Sequence, residues 1–226
     1  MLDLHGFGPL LLQGLWTTLR IAVASLALGL VFGLLGAAAK LSRFAWLRIP
    51  ADALTNLIRG LPELLVIFLF YFGGSQLLTA ISGEYIEVNQ FAAGTAALSL
   101  TFGAYASETF RGAFLAVPAG QVEAARAFGM RPRQVFFRIQ LPQLWRYALP
   151  GLGNLWLVLT KDTALVSIIG LVDLMRSAAI AIGTTKQPFL FYGAAALIYF
   201  AITVVSMAVL ALLERRARRG VPAGRL

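Results

Sequence analysis

Five ionisable side chains, Arg59, Glu63, Glu108, Lys161 and Asp162, stand among neighbours that are almost all apolar. Charge in such surroundings is costly and by default marks function, with pairing as the competing explanation. A carboxylate there can receive a cation and an ammonium can receive a carboxylate, so the chemistry on offer is ion recognition. Bond-making chemistry has little to work with. The chain has no cysteine and one histidine, His5, which excludes disulfides and thiolate sites and argues against a His-ligated metal. It contains no H-E-x-x-H run, no nucleophile-elbow serine and no phosphate-cradling G-x-x-x-x-G-K-[ST] loop. An intramembrane protease or lipid transferase is therefore disfavoured, and the chain cannot hydrolyse ATP alone.

The elements that must position these groups are membrane spans. Of 226 residues, 59% are hydrophobic and 13% charged, with a mean hydropathy of +0.79; soluble domains have about 45–50% and about 25%. A span needs about 20 mostly apolar residues. Five stretches qualify: residues 10–39; 54–81, broken by Pro62; 91–117; 145–160, continuing through Lys161, Asp162 and Thr163 into 164–174; and 189–213. Residues 171–183 carry Arg176 and are too polar to span, which predicts an amphipathic helix at the outer surface. The expected architecture is an all-α integral membrane protein, one domain over residues 1–226. The first basic residue is Arg20, so the N-terminal stretch does not read as a cleaved signal peptide.

The net charge of +9 follows topology rather than nucleic-acid binding. One set of loops holds Lys40, Arg43 and Arg48, then Arg111, Arg126, Arg131, Arg133, Arg138 and Arg146, then Arg215, Arg216, Arg218, Arg219 and Arg225, fourteen of nineteen bases. The opposite set holds Arg176 and Lys186. The positive-inside rule then puts the N-terminus outside and the C-terminus in the cytoplasm.

Depth separates the intramembrane charges. At 1.5 Å per residue, Arg59 lies about 13 Å and Glu63 about 19 Å from Pro50, while Glu108 lies about 27 Å from Gln90. Arg59 and Glu108 are thus expected to form a structural ion pair in the inner half, with Arg111 competing for Glu108. Glu63, left near the midplane one residue after Pro62, is expected to meet a substrate cation, or else to cap the helix beyond Pro62 or face a water-filled cavity. Lys161 and Asp162 sit about 24–26 Å along from Trp145; adjacent helical residues point to different partners. A helix break near Thr163 would offer N–H groups to a carboxylate with Lys161 adding charge. Asp162 could instead cap the helix that follows. Gly29, Gly33 and Gly36 suggest close helix packing, within this chain or with another.

One long polar passage interrupts the apolar pattern, at residues 118–142. Within it Glu123, Ala124 and Ala125 are followed by Gly129, then by Ile139, Leu141 and Pro142. Small residues allow close seating, and Gly129 permits a turn between two short helices. The spacing resembles the EAA loop of ABC-transporter permeases, matching at all seven fixed positions. At about one in ten per position, chance gives roughly one in ten million per window.

The stretches LIRGLPELL (57–65), YASETFRGAF (105–114), YALPGLGNLW (147–156) and KDTALVSIIG (161–170) are similar to permeases of the polar amino-acid uptake group, notably those of arginine and of histidine/lysine/arginine/ornithine systems. The resemblance implies that the loop docks on an ATP-binding subunit and transmits its closure. It implies a second permease subunit, related or identical, two ATP-binding subunits that hold ATP and Mg, and a periplasmic amino-acid-binding protein, all at a bacterial inner membrane. It implies import of a basic amino acid, with glutamine, glutamate or an opine as the alternative. A channel or structural subunit without energy coupling would not need the loop spacing.

Overall fold

The computed structural model describes residues 4–217; Arg218, Arg219 and Arg225 of the charge count lie outside them. The described residues fold into helices α1 (Gly8–Lys40), α2 (Ala45–Arg59), α3 (Glu63–Phe68), α4 (Gly74–Ser82), α5 (Gln90–Leu115), α6 (Ala119–Ala127), α7 (Pro132–Val135), α8 (Leu141–Asp162), α9 (Leu174–Thr185) and α10 (Pro188–Ala217). A π turn, Leu69–Gly73, joins α3 to α4, and a second, Phe136–Gln140, joins α7 to α8. A 3-10 segment, Thr163–Ile169, extends α8 and ends at Gly170, whose φ of +96° stops the helix. Among the described residues, four helical runs are long and apolar enough to cross a membrane: Gly8–Lys40, Glu63–Ser82, Pro132–Ile169 and Pro188–Ala217.

Helix α5 is not among those four, although its 26 residues measure about 39 Å. The reason is its place. More than half of it is buried, and it packs against α1, α2, α3 and α8. A helix wrapped by others need not be apolar on every side, so α5 carries small and hydroxylated residues. Some of their hydroxyls return to the helix itself: Thr101 Oγ1 donates to the Ala97 carbonyl at 3.1 Å and Ser107 Oγ to the Ala104 carbonyl at 2.8 Å.

Helix α1 lies along α5 through the spaced glycines. A Cβ at Gly29 would stand 2.6 Å from Phe102 Cδ1, one at Gly33 2.7 Å from Ala106 Cβ, and one at Gly36 2.9 Å from Ser107 Cβ. These glycines therefore serve packing inside the chain. Lipid gives helices no hydrophobic reason to associate, so close approach of small residues is what holds such a pair. A second, smaller core joins α9 to the starts of α1 and α10 through Leu11, Leu174, Ala178, Ala181 and Phe191. Residues 171–183, expected as a surface-lying helix, accordingly form a helix over Leu174–Thr185 whose inner face is fully covered.

Two expected boundaries move. The stretch 54–81 is not one helix broken at Pro62: α2 ends at Arg59, residues 60–62 turn, and the apolar run begins at Glu63. Proline cannot continue the ladder and restricts the residue before it, so the axis is lost there. The stretch 164–174 stops early, at Gly170.

Candidate functional site

Two places gather the chemistry. The first is the polar passage. Helix α6 closes in a Schellman turn: the Met130 N–H donates to the Ala125 carbonyl at 3.1 Å and the Gly129 N–H to the Arg126 carbonyl at 2.9 Å, with Gly129 at φ +79°. Nothing lies within 4 Å of a Cβ built on Gly129, so glycine is there for its backbone angle and not for space. The chain restarts at Arg131, whose N–H is capped by Gln134 Oε1 at 2.8 Å, and Pro132 opens α7. Ala125 and Val135 are buried between the two helices. Glu123 and Ala124 face outward, and Phe128 is 89% exposed. Gln143 Nε2 donates to Gln121 Oε1 at 2.6 Å, tying α6 to α8. Ile139 is half-buried, while Leu141 and Pro142 are exposed. The two short helices are thus unequal: the second is the first turn of the long run Pro132–Ile169.

The second place is a cavity of about 30 Å³ lined by Glu63, Thr101, Tyr105, Leu155 and Asp162 among others. Its two carboxylates come from different elements, Glu63 from the first turn of α3 and Asp162 from the last residue of α8. Thr101 lies about 17 Å along α5 from Gln90, so the cavity adjoins the middle of the central helix. That position, rather than a count from Pro50 through the bend at 60–62, fixes the depth of Glu63. Neither carboxylate caps a helix, which corrects one expectation for each. Among the described residues neither has a cation within 4.0 Å. A volume of about 30 Å³ holds about two waters, too little for an amino acid, and both acids are half-buried at its wall.

Thr163 and Lys161 do not join them. Thr163 is fully buried, its hydroxyl donating to the Thr160 carbonyl at 2.8 Å and its N–H to the Leu159 carbonyl. The passage from α-helix to 3-10 helix frees no N–H at Thr163, contrary to expectation. Lys161 faces a separate crevice of about 470 Å³ with Met175, Tyr192 and Tyr199.

Glu108, about 10 Å further along α5 than Thr101, is the hub of a charge cluster. Its Oε1 is 2.5 Å from Lys40 Nζ and 4.0 Å from Arg59 Nη1, and its Oε2 is 3.0 Å from Arg111 Nε. The expected pair with Arg59 exists only at the outer limit of contact. The main partner is Lys40, read from the sequence as a topological charge; its side chain is 1% exposed and also lies 3.6 Å from Asp52. A signal was present. Lys40 continues the face of Gly29, Gly33 and Gly36 at helical spacing, and that face meets α5.

With the geometry in place, comparison with known proteins decides the family. The model of the binding-protein-dependent transport system inner membrane component matches residues 29–219. The chain belongs to this family. It is 49% identical over 202 residues to an arginine ABC transporter permease, ArtQ, of Haemophilus influenzae, covering 89% of this chain and 90% of the relative. It is 47% identical over 222 residues to a nopaline transport permease, NocQ, of Agrobacterium fabrum, covering 96% and 94%. It is 44% identical to a histidine/lysine/arginine/ornithine permease, HisQ, of Salmonella typhimurium, covering 96% and 97%. A crystal structure of an amino acid ABC transporter with histidines matches at a TM-score of 0.82 and 35% identity over 92% of this chain and 94% of that one. A methionine ABC transporter, MetNI, matches at 0.77 and 20% identity over 94% and 98%, a likeness of fold. The protein is a membrane-integral transport permease.

Proposed function

We propose that this permease forms the translocation path of an ATP-driven importer for basic amino acids, with Glu63 and Asp162 receiving the substrate's side-chain cation. The observation that carries the reading is the pairing of two carboxylates, without a cation partner among the described residues, in one cavity beside the middle of α5. Relatives named for arginine and for histidine, lysine, arginine and ornithine support it. The second reading is an opine, favoured by relatives of similar identity named for nopaline and octopine transport.

The rest of the machine follows as part of the same proposal. Helix α5 is the fifth span, the N-terminus is outside, and residues 118–142 face the cytoplasm. Glu123, Ala124, Ala125, Gly129, Ile139, Leu141 and Pro142 couple the permease to an ATP-binding subunit that holds ATP and Mg. Two permease subunits, two ATPases and a periplasmic binding protein act together at a bacterial inner membrane. The path runs at an interface, because a cavity this small in one subunit must widen against another surface to admit a substrate.

The test is uptake of labelled arginine, lysine, histidine, glutamine and octopine by the reconstituted complex, with Glu63→Gln and Glu63→Lys beside the wild type. Basic amino-acid uptake should be strongly reduced in Glu63→Gln and abolished in Glu63→Lys. Normal arginine uptake by the reversed-charge variant removes Glu63 from the path, and octopine uptake far above arginine uptake selects the second reading.

A further inference from the structure

The acidic cavity leaves one neighbouring cation without a role. Arg59 ends α2, immediately before the turn at 60–62. Its guanidinium carbon lies 5.2 Å from the centroid of the Tyr105 ring, and the Tyr105 hydroxyl donates to the Arg59 carbonyl at 3.5 Å. Its Nη1 is 4.0 Å from Glu108 Oε1, an oxygen already held by Lys40 at 2.5 Å, while Arg111 takes the other at 3.0 Å. Arg59 is therefore the loosest of three cations on one carboxylate. Its side chain is 37% exposed where that of Lys40 is 1%. Tyr105 is a shared wall, lining the Glu63–Asp162 cavity and seating the guanidinium.

We infer that Arg59 is the cytoplasmic gate of the path: a positive charge, seated on Tyr105 and steered by Glu108, that bars a cation on the acidic pair from leaking inward. This rests on the reading of Glu63 and Asp162 as the substrate site. A cation drawn to two carboxylates meets a guanidinium next, and a fixed arginine at a constriction is an effective barrier to cations. The barrier is movable. Helix α2 is separated from α3 by residues 60–62, and proline at 62 offers no N–H to bridge them. A shift of the α2 end would withdraw Arg59 from Tyr105. The Lys40–Glu108 pair, anchored in α1 and α5, can stay in place meanwhile. The stacked ring also explains why this guanidinium is held although its carboxylate is already occupied.

The experiment is passive efflux, without ATP, of labelled arginine and of labelled glutamine from liposomes containing the assembled transporter. Arg59→Gln should raise arginine efflux about tenfold, which is about 1.4 kcal/mol off the barrier, with little change for glutamine. Arg59→Lys, which keeps the charge, should stay near the wild type. An unchanged arginine efflux in Arg59→Gln overturns the gate, and so does an equal rise for both solutes, the mark of a loosened structure. If Arg59→Gln fails to assemble, Tyr105→Leu replaces it, with the same charge-selective leak expected and the same two outcomes against it. Uptake by Glu63→Gln separates the two ideas. Reduced uptake there together with a tight Arg59→Gln removes the gate alone, whereas normal uptake removes the cavity reading and the gate with it.

Discussion

At the scale of single residues, charge is placed where its partners can be counted. Lys40 is buried against Glu108 and Asp52, while Glu108 has Arg111 and Arg59 in reserve. Removing one partner of a buried pair is costly because the other stays desolvated. The asymmetry predicts that Glu108→Gln, which leaves Lys40 with Asp52 alone, destabilises by about 3 kcal/mol, and Lys40→Met by roughly half as much. The double variant should cost less than the sum, as coupled sites do; thermal unfolding in detergent measures all three. Asp173, in the turn before α9 and outside the apolar runs, gives a pH test. It is fully buried, one oxygen accepting from the Arg176 N–H at 2.9 Å and Oδ2 without a hydrogen-bond partner. Burial pushes its carboxyl from about 3.8 up to about 6. The fold therefore favours the protonated acid. Its stabilising contribution is fully present below pH 3.8, shrinks as pH rises and is lost above about 6. Up to about 3 kcal/mol is at stake at 1.36 kcal/mol per pH unit. The apparent Tm of the wild type should fall between pH 5 and pH 7 by more than that of Asp173→Asn.

At the scale of elements, the bundle depends on how closely α1 meets α5. Gly29→Val would set a Cβ 2.6 Å from Phe102 and 3.0 Å from the Ser99 carbonyl, and the backbone there cannot give way. A loss of about 2–3 kcal/mol is expected from such overpacking. Gly193→Ala in α10, with nothing within 4 Å, should be neutral or slightly stabilising. Equal effects on unfolding temperature at the two sites would refute the contact. These same elements show what a sequence can and cannot carry. Long apolar runs such as Gly8–Lys40 and Pro188–Ala217 announce themselves by length, and the turn at Gly129 by its spacing from Glu123. Pairing does not announce itself. Lys40 shares the helical face of Gly29, Gly33 and Gly36, but that face alone names no partner, and it is the register of α1 on α5 that sets it against Glu108. Asp162 and Glu63, 99 residues apart in the sequence, share a cavity because α3 and the end of α8 both lie against α5. A depth counted along one axis crosses the bend at 60–62, so for Glu63 it is the neighbouring middle of α5 that sets the depth.

At the scale of the whole molecule, the polar passage and the acidic cavity are the two ends of one rod. The run Pro132–Ile169 begins beside the Gly129 turn and carries Asp162 near its far end. Gln143, which ties α8 to α6, lies about 28 Å from Asp162 along that helix. A push on α6 therefore reaches the cavity without crossing a loop. On the proposed coupling, the push is received by the outward face of Glu123, Ala124 and Phe128, whose aromatic ring is 89% exposed in a polar passage and suits a partner's pocket. Buried aromatic anchors contribute most of the energy at many interfaces, often 2 kcal/mol or more. Phe128→Ala should leave the unfolding temperature of the isolated permease unchanged while weakening its association with the ATPase about thirtyfold, the equivalent of 2 kcal/mol. Gly129→Val acts differently. It strains a φ of +79° at a cost of about 1–2 kcal/mol, so it should lower the stability of the passage as well as the association. Co-purification and ATP hydrolysis stimulated by binding protein, measured for both variants, distinguish the lost anchor from the lost turn. Undiminished association of Phe128→Ala would move the contact to Glu123 and Ala124 alone.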